Sequence, residues 1–220
     1  MSGGKSIAPV WIGSVQLRYP CSLTVEEYVN QEAWRQATLR RCPLHVGGGC
    51  GFARHGTYER RSPPGLRIAR WYCPQGHCTF SLLPDCLAAR LPGTLVELEA
   101  IVRQVEQARS LTAACAGLRL EIELPGVLRW VRRRVQAVQT ILIILKGLMP
   151  GYFQTCEPTL RSFAHHLGID PVLPALRSVA ALYLQSLPTP LGFCPQSRRG
   201  GDANNRYQQS VGPDPPLMFS

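Results

Sequence analysis

The apolar residues of this chain keep one period in its second half and another near its start. From residue 95 onward they recur at three- and four-residue steps: Leu95, Leu98, Ile101, Val102 and Val105, then Leu124, Val127, Leu128, Val131, Val135, Val138, Leu142 and Leu145. Steps of that size put side chains on one face of an α-helix. They predict a helix opened by the capping box Thr94-x-x-Glu97 and running to about Ala108. They predict another from about Leu124 to Leu148, with Pro125 in its first turn and Pro150-Gly151 as its stop. A short small-residue helix over 110–116 lies between them, ended by Gly117. Two further helices are expected at 159–167, ended by Gly168, and at 171–187, capped by Asp170.

Upstream the punctuation is different. A capping box, Thr24-x-x-Glu27, predicts a helix over 25–39, preceded by an extended arm in residues 1–20. Residues 56–61 and 66–72 read as two strands around the turn Ser62-Pro63-Pro64-Gly65. From Pro188 the chain is rich in Pro, Gly, Arg, Asn and Gln, the composition of a disordered tail. The expected fold is mainly α with a small β-hairpin, an α+β arrangement. It divides into an arm and helix (1–39), a hairpin domain (40–92), a helical region (93–187) and the tail (188–220).

Charge adds a partner to this picture. The 220 residues carry a formal net charge of +10. Much of the excess is local: residues 35–70 hold eight arginines (Arg35, Arg40, Arg41, Arg54, Arg60, Arg61, Arg67 and Arg70) and one acid, Glu59. Such a balance suits an acidic polymer, and DNA is the expected partner. The N-terminal ten residues lack the apolar run of a secretory signal, and the most apolar stretch, Thr140–Leu145, is far short of the ~20 residues of a membrane span. The expectation is a soluble protein of a reducing cytoplasm, associated with the nucleoid if DNA-bound.

Cysteine spacing adds a cofactor. Cys42-Pro43-Leu44-His45 and Cys73-Pro74-Gln75-Gly76-His77-Cys78 are two Cys-Pro turns, each with a further ligand within a few residues. Each is half of a tetrahedral zinc site. Cys42, His45, Cys73 and His77 are the favoured set. Cys50, able to fold back through Gly47-Gly48-Gly49, and Cys78 are substitutes. Without a secretory signal, clustered cysteines read as metal ligands rather than disulfides. The remaining five, Cys21, Cys86, Cys115, Cys156 and Cys194, stand singly and read as plain thiols.

The long helix carries the other chemical signal. Opposite its apolar stripe lie Arg129, Arg133 and Gln136, with Arg132 at the edge. Arg and Gln pair bidentately with guanine and adenine edges, and the order helix, short helix, basic helix is that of a helix-turn-helix. The connection from Leu118 to Leu124 is longer than that motif's usual turn.

The run CPLH…RHGTYER…IARWYCPQGHCTFSLLPDCLAARL resembles the zinc-ribbon N-terminal domain of bacterial insertion-sequence transposases and of related short proteins. The resemblance covers roughly residues 40–92 and continues more weakly to 145. It implies a structural zinc and binding to the DNA ends of a mobile element. Here His45 and His77 stand where cysteines are usual, and Cys78 adds a thiol. Transposases of the ribonuclease-H type hold two divalent metals on a cluster of carboxylates. The acids after residue 92 are scattered over a helical segment, so the resemblance supports DNA binding and not strand transfer. In this reading Arg54, Arg60, Arg61, Arg67 and Arg70 contact phosphates, Arg129, Arg133 and Gln136 reach base edges, and no catalysis is expected. The alternative is a zinc-ribbon adaptor whose arginines face an acidic protein.

Overall fold

The structure, a computed structural model, describes residues 13–118 and 124–194. The expected arm (1–20) therefore lies partly outside the described residues, as do most of the 118–124 connection and the tail beyond 194. Among the described residues the fold is α+β: seven α-helices and one four-stranded mixed sheet.

The hairpin is part of a larger sheet than the sequence pattern indicates. Strands β2 (Ala53–Glu59) and β3 (Arg67–Cys73) pair antiparallel. Strand β4 (Cys78–Pro84) pairs antiparallel with β3, and β1 (Gly13–Tyr19) lies parallel to β4 at the other edge. The order is β1-β4-β3-β2. Strand β4 is central and buried at almost every position, with Phe80 and Leu82 on one face and Leu83 on the other. Its first five residues alternate, with Cys78, Phe80 and Leu82 apolar and Thr79 and Ser81 polar, a short strand pattern that the Cys-Pro turn before it overshadows.

Cross-strand partners share a face, so the register sorts the side chains. Leu82 opposes Ala69 and Phe80 opposes Trp71. This face is covered by Ala37, Leu39 and Phe52. Ile68 and Leu83 occupy the opposite face and pack into the main core with the helices. The sheet is thus a middle layer between the Cys-Pro turns and the helical body.

Helix α1 (Val25–Asn30) keeps its capping box but ends early, and a 3₁₀ turn at Ala33–Arg35 replaces the rest of the predicted 25–39 helix. Glu32, between them, adopts φ 47°, which an α-helix cannot continue through. Trp34 is thereby turned into the core beside Tyr28, their ring centroids 6.0 Å apart.

The helical body follows the apolar periodicity closely. α2 (Leu95–Gln107) and α3 (Leu111–Gly117) start at the side-chain caps Thr94 and Ser110. α4 (Leu124–Leu148) buries Val127, Val131, Val138, Leu142 and Leu145. Each such burial stabilises by about 1.5–3 kcal/mol against exposure. α5 (Pro150–Phe153) is a single turn after the break, and α6 (Leu160–Leu167) ends at Gly168 in the left-handed region, φ 63°.

The last helix departs from expectation. α7 spans only Val172–Val179, a 3₁₀ turn at Ala181–Tyr183 follows, and Asp170 is not its cap. The capping carboxylate comes from α2: Glu99, 2 % exposed, accepts from Val172 N at 2.9 Å and Leu173 N at 2.7 Å. Asp170 instead bonds Arg103, which also pairs with Glu99. About two turns further along α2, Glu106 accepts from Leu160 N at 2.7 Å and Arg161 N at 3.2 Å, serving α6 in the same way. Two glutamates seven positions apart on one helix thus satisfy the open N–H groups of two others.

Residues 188–194, expected within the tail, are ordered by burial: Leu191 and Phe193 enter the main core. Fully buried Arg177 holds them, donating to the carbonyls of Leu191 and Pro190 and to those of Pro84, Asp85 and Leu87. Burial pulls its pKa down to about 10, which leaves it cationic at neutral pH.

Candidate metal centre

Three of the four favoured ligands come together, and the fourth place is taken by Cys50. The Sγ atoms of Cys42, Cys50 and Cys73 and a ring nitrogen of His45 all lie within 4.8 Å of one another. His45 turns Nδ1 toward two sulfurs, at 3.5 Å from Cys42 and 3.3 Å from Cys73. Tetrahedral zinc bonds of about 2.3 Å to sulfur and 2.0–2.1 Å to nitrogen require N···S edges of about 3.5 Å. The donor set therefore fits a small tetrahedral cation, and the group could hold a metal ion.

Local backbone chemistry builds each corner. In the first turn His45 N donates to Cys42 O at 3.3 Å, which brings residue 45 back over residue 42. Gly48 N then donates to His45 O at 3.0 Å, and Gly48 and Gly49, both at positive φ, return the chain to Cys50, with Gly51, also at positive φ, leading it away. In the second turn Gly76 N donates to Cys73 Sγ at 3.3 Å. A side chain at Gly76 would meet Leu44 Cδ1 at 2.5 Å, Cys73 Sγ at 3.4 Å and His45 Cε1 at 3.6 Å, so the two turns close on each other across this residue. Phe52, stacked on Trp71 with centroids 5.4 Å apart, and buried Phe80 form the apolar wall behind the thiols.

The thiols are unequal. Burial opposes ionisation of Cys42, but the His45 ring, the N–H groups of Leu44 and His45 and the Cys73 thiol outweigh it and bring Cys42 down to about 7. Burial raises Cys73 to about 11 against the Gly76 N–H, and the thiols of Cys42 and Cys50 push in the same direction. Cys42 therefore becomes a thiolate, the form that binds metal, before Cys73 does.

His77 stands apart because of its backbone. It occupies the left-handed region, φ 46°, in the tight turn where its N–H donates to Pro74 O, and its side chain is exposed. Cys78 is fully buried opposite Cys73 in the β3–β4 ladder, outside the four-ligand group, with its sulfur 3.9 Å from Thr79 O. The three glycines before Cys50 are the signal that favours it: they let the first turn supply three ligands and leave one for the second.

The arginines divide into two kinds. Arg61 and Arg67 are exposed and Arg70 is half-buried. Arg60 is turned inward to donate to the carbonyls of Ala88 and Leu91, so it binds the strand to the following loop rather than facing a partner. Arg54 donates to Arg35 O at 2.8 Å and Trp34 O at 2.6 Å. On α4, Arg129, Arg132, Arg133 and Gln136 are all exposed. Arg134, in the same run, is buried with its guanidinium 3.6 Å from the Trp130 ring centroid. Helices α2, α3 and α4 share a small core of Ile101, Cys115, Leu118, Val127, Trp130 and Val131.

Sequence reasoning passes over Glu99, Glu106, Asp85 and Arg177, whose roles are structural; Asp85 forms a two-pronged pair with Arg18 at 2.8 and 2.7 Å. None of the four belongs to a recognisable spacing. Among the described residues no helix is long and apolar enough to cross a membrane. Comparison with protein-family models, with curated proteins and with solved structures finds no match to this chain.

Proposed function

We propose that this is a zinc-stabilised DNA-binding protein, related to transposase N-terminal regions and without a catalytic centre of its own. The observation that carries the reading is the outward face of α4. Arg129, Arg132, Arg133 and Gln136 stand exposed there while the opposite side of the same helix is buried. A rigid helix presenting guanidinium and amide groups has the chemistry that reads base edges in a major groove. The packing of α2 and α3 against it is the support a recognition helix needs.

Zinc is the natural occupant of a group of three cysteines and one histidine whose two close N···S distances match tetrahedral edges. Four protein ligands leave no open position, so the metal's role is to hold the two turns together. The non-catalytic reading is supported by the acids: Glu97, Glu99 and Glu106 serve as helix caps, and Asp85 and Asp170 are paired with arginines.

The test is fluorescence anisotropy of the zinc-loaded full chain with duplex DNA over a range of salt. Binding should weaken log-linearly with salt, and Arg129→Ala and Arg133→Ala should each cost about 1–3 kcal/mol of affinity for a preferred duplex and relax the sequence preference, as the loss of a base-edge contact does. No binding to any duplex at low salt, with polyglutamate captured instead, would replace this reading with that of an adaptor for an acidic protein.

A further inference from the structure

The open edge of the sheet carries a cleft that the metal and the helix do not explain. It has a volume of about 370 Å3 and is lined by Trp34, Arg35, Arg54, Thr57 and Arg67. Its shape comes from an irregularity in β2. Arg54 opposes Trp71 and Thr57 opposes Ala69, so His55 and Gly56 together face the single residue Arg70. This is a β-bulge, with Gly56 at φ 75°. In a regular strand, residues 54 and 57 point to opposite faces. The extra residue brings both to the face shared by Trp71, Ala69 and Arg67, the face that also bears the metal centre.

The guanidinium of Arg54 is held in place before any ligand arrives. It spends two of its five N–H groups on the carbonyls of Arg35 and Trp34, at 2.8 and 2.6 Å. Arg54 lines the cleft together with Thr57 and the exposed Arg67, and three of its N–H groups are left over for a ligand. Arg35 is neutralised by Glu32 at 2.7 Å, which leaves Arg54 and Arg67 as the working charges. A planar fork fixed by backbone carbonyls, with a second guanidinium and a hydroxyl nearby, matches the tetrahedral oxygens of a phosphate ester.

We propose that this cleft is a phosphate site that seats one phosphodiester of a nucleic-acid strand running along the β2 edge. It deepens the DNA-binding reading and rests on it for the source of the phosphate, not for the site's chemistry. The site depends on the sheet face and not on α4, so the two can fail separately.

The experiment follows the Arg54 Nε–Hε resonance of the zinc-loaded full chain. Inorganic phosphate, a 5′-phosphorylated dinucleotide and a duplex are each titrated at constant ionic strength in chloride. Duplex affinity is measured in parallel for wild type, Arg67→Ala and Thr57→Glu, with folding checked by circular dichroism. The expected result is a saturable shift of the Arg54 resonance with the duplex. The salt slope should be flatter by about one in Arg67→Ala. Binding should be about tenfold weaker or worse in Thr57→Glu, which sets a carboxylate against the phosphate. Should the duplex bind at wild-type strength and slope in both variants with the Arg54 resonance unmoved, the cleft proposal is overturned while DNA binding through α4 stands. Should inorganic phosphate and the dinucleotide shift Arg54 while no duplex binds, the phosphate site is upheld, its source is a small phosphate ester, and the DNA reading falls. No shift with any of the three overturns the site outright.

Discussion

The two faces of the sheet are held by different kinds of force. On one side, Ile68 and Leu83 join a core built from α2, α4, α6 and α7, where apolar burial dominates and Glu99, Glu106 and Arg177 satisfy the polar groups it traps. On the other, the covering layer is thin: a few aromatics and the turns bearing Cys42, His45, Cys50 and Cys73. The first side has enough apolar contact to order itself. The second has little side chain to bury along its loop of glycines, so a metal held by the Cys/His group would be its natural support at that end. The difference teaches that a basic, solvent-facing surface is compatible with either kind of order: Arg54 and Arg67 are exposed on the thinly covered side, and Arg129, Arg132 and Arg133 on the outer face of α4.

The largest effect that can break this comparison comes from the metal ligands. Replacing Cys42 and Cys73 by Ser should abolish metal binding, an interaction recorded at about 10–16 kcal/mol apparent for small zinc modules at neutral pH. Hydrogen exchange should accelerate over 40–52 and 73–78 while α2, α4 and α7 stay protected. Equal acceleration in the helices would show that both sides fold as one cooperative unit and that the contrast is false. Metal content by mass spectrometry checks the first part.

Next comes Arg177→Met, which keeps the apolar stem and removes the charge. Five carbonyls lose their donor in a fully buried site. Loss of one partner from a buried charged network costs about 3–5 kcal/mol. A denaturant midpoint that shifts by that much with metal binding intact would place the clamp on the helical side alone.

Glu99→Gln is expected to be milder. The amide can accept one of the two α7 N–H bonds but cannot pair with Arg103, for a loss of about 1–3 kcal/mol. Thermal unfolding should show it, and an unchanged midpoint would mean that the α7 N-terminus finds another acceptor.

The smallest effect is a titration. Backbone and hydroxyl hydrogen bonds at Thr24 hold the exposed Glu27 carboxyl below its ordinary value of 4.5. A carboxyl lowered by folding contributes stability that is present above its unfolded pKa and lost as pH falls through the folded one. Acidification through that window should release the Thr24 amide, seen as a shift change of its resonance, without disturbing the metal ligands' side of the sheet. An amide shift flat through the carboxylate range would mean that the box is not formed in solution.

These regions also differ in how far they could be read in advance. The helices were legible because Leu95, Val131 and Leu142 each repeat a local rule, and the capping boxes at Thr24 and Thr94 work within four residues. Cys42, His45 and Cys73 were legible for the same reason, since a Cys-Pro turn fixes its neighbours' geometry. What escaped is non-local. Strand β1 joins β4 across more than sixty positions, and Glu99 caps a helix that begins at residue 172. His77 escaped through a single dihedral angle, which spacing does not encode. Leu191 and Phe193 looked like tail residues because composition around them is polar, yet two apolar side chains and one buried guanidinium suffice to anchor that segment.

The Arg177 clamp also bears on how the chain is made. Its guanidinium grips carbonyls at positions 84, 85 and 87 from one side and at 190 and 191 from the other. A chain emerging from the ribosome exposes the first three long before it contains the last two. The cysteines and histidine that could hold a metal, all within residues 42–73, can come together while translation continues. The helical side stays open at one end until residue 191 is free. A ribosome stalled before that point would therefore present closed Cys-Pro turns on an unlatched helical body, the species that nascent-chain proteolysis would cut.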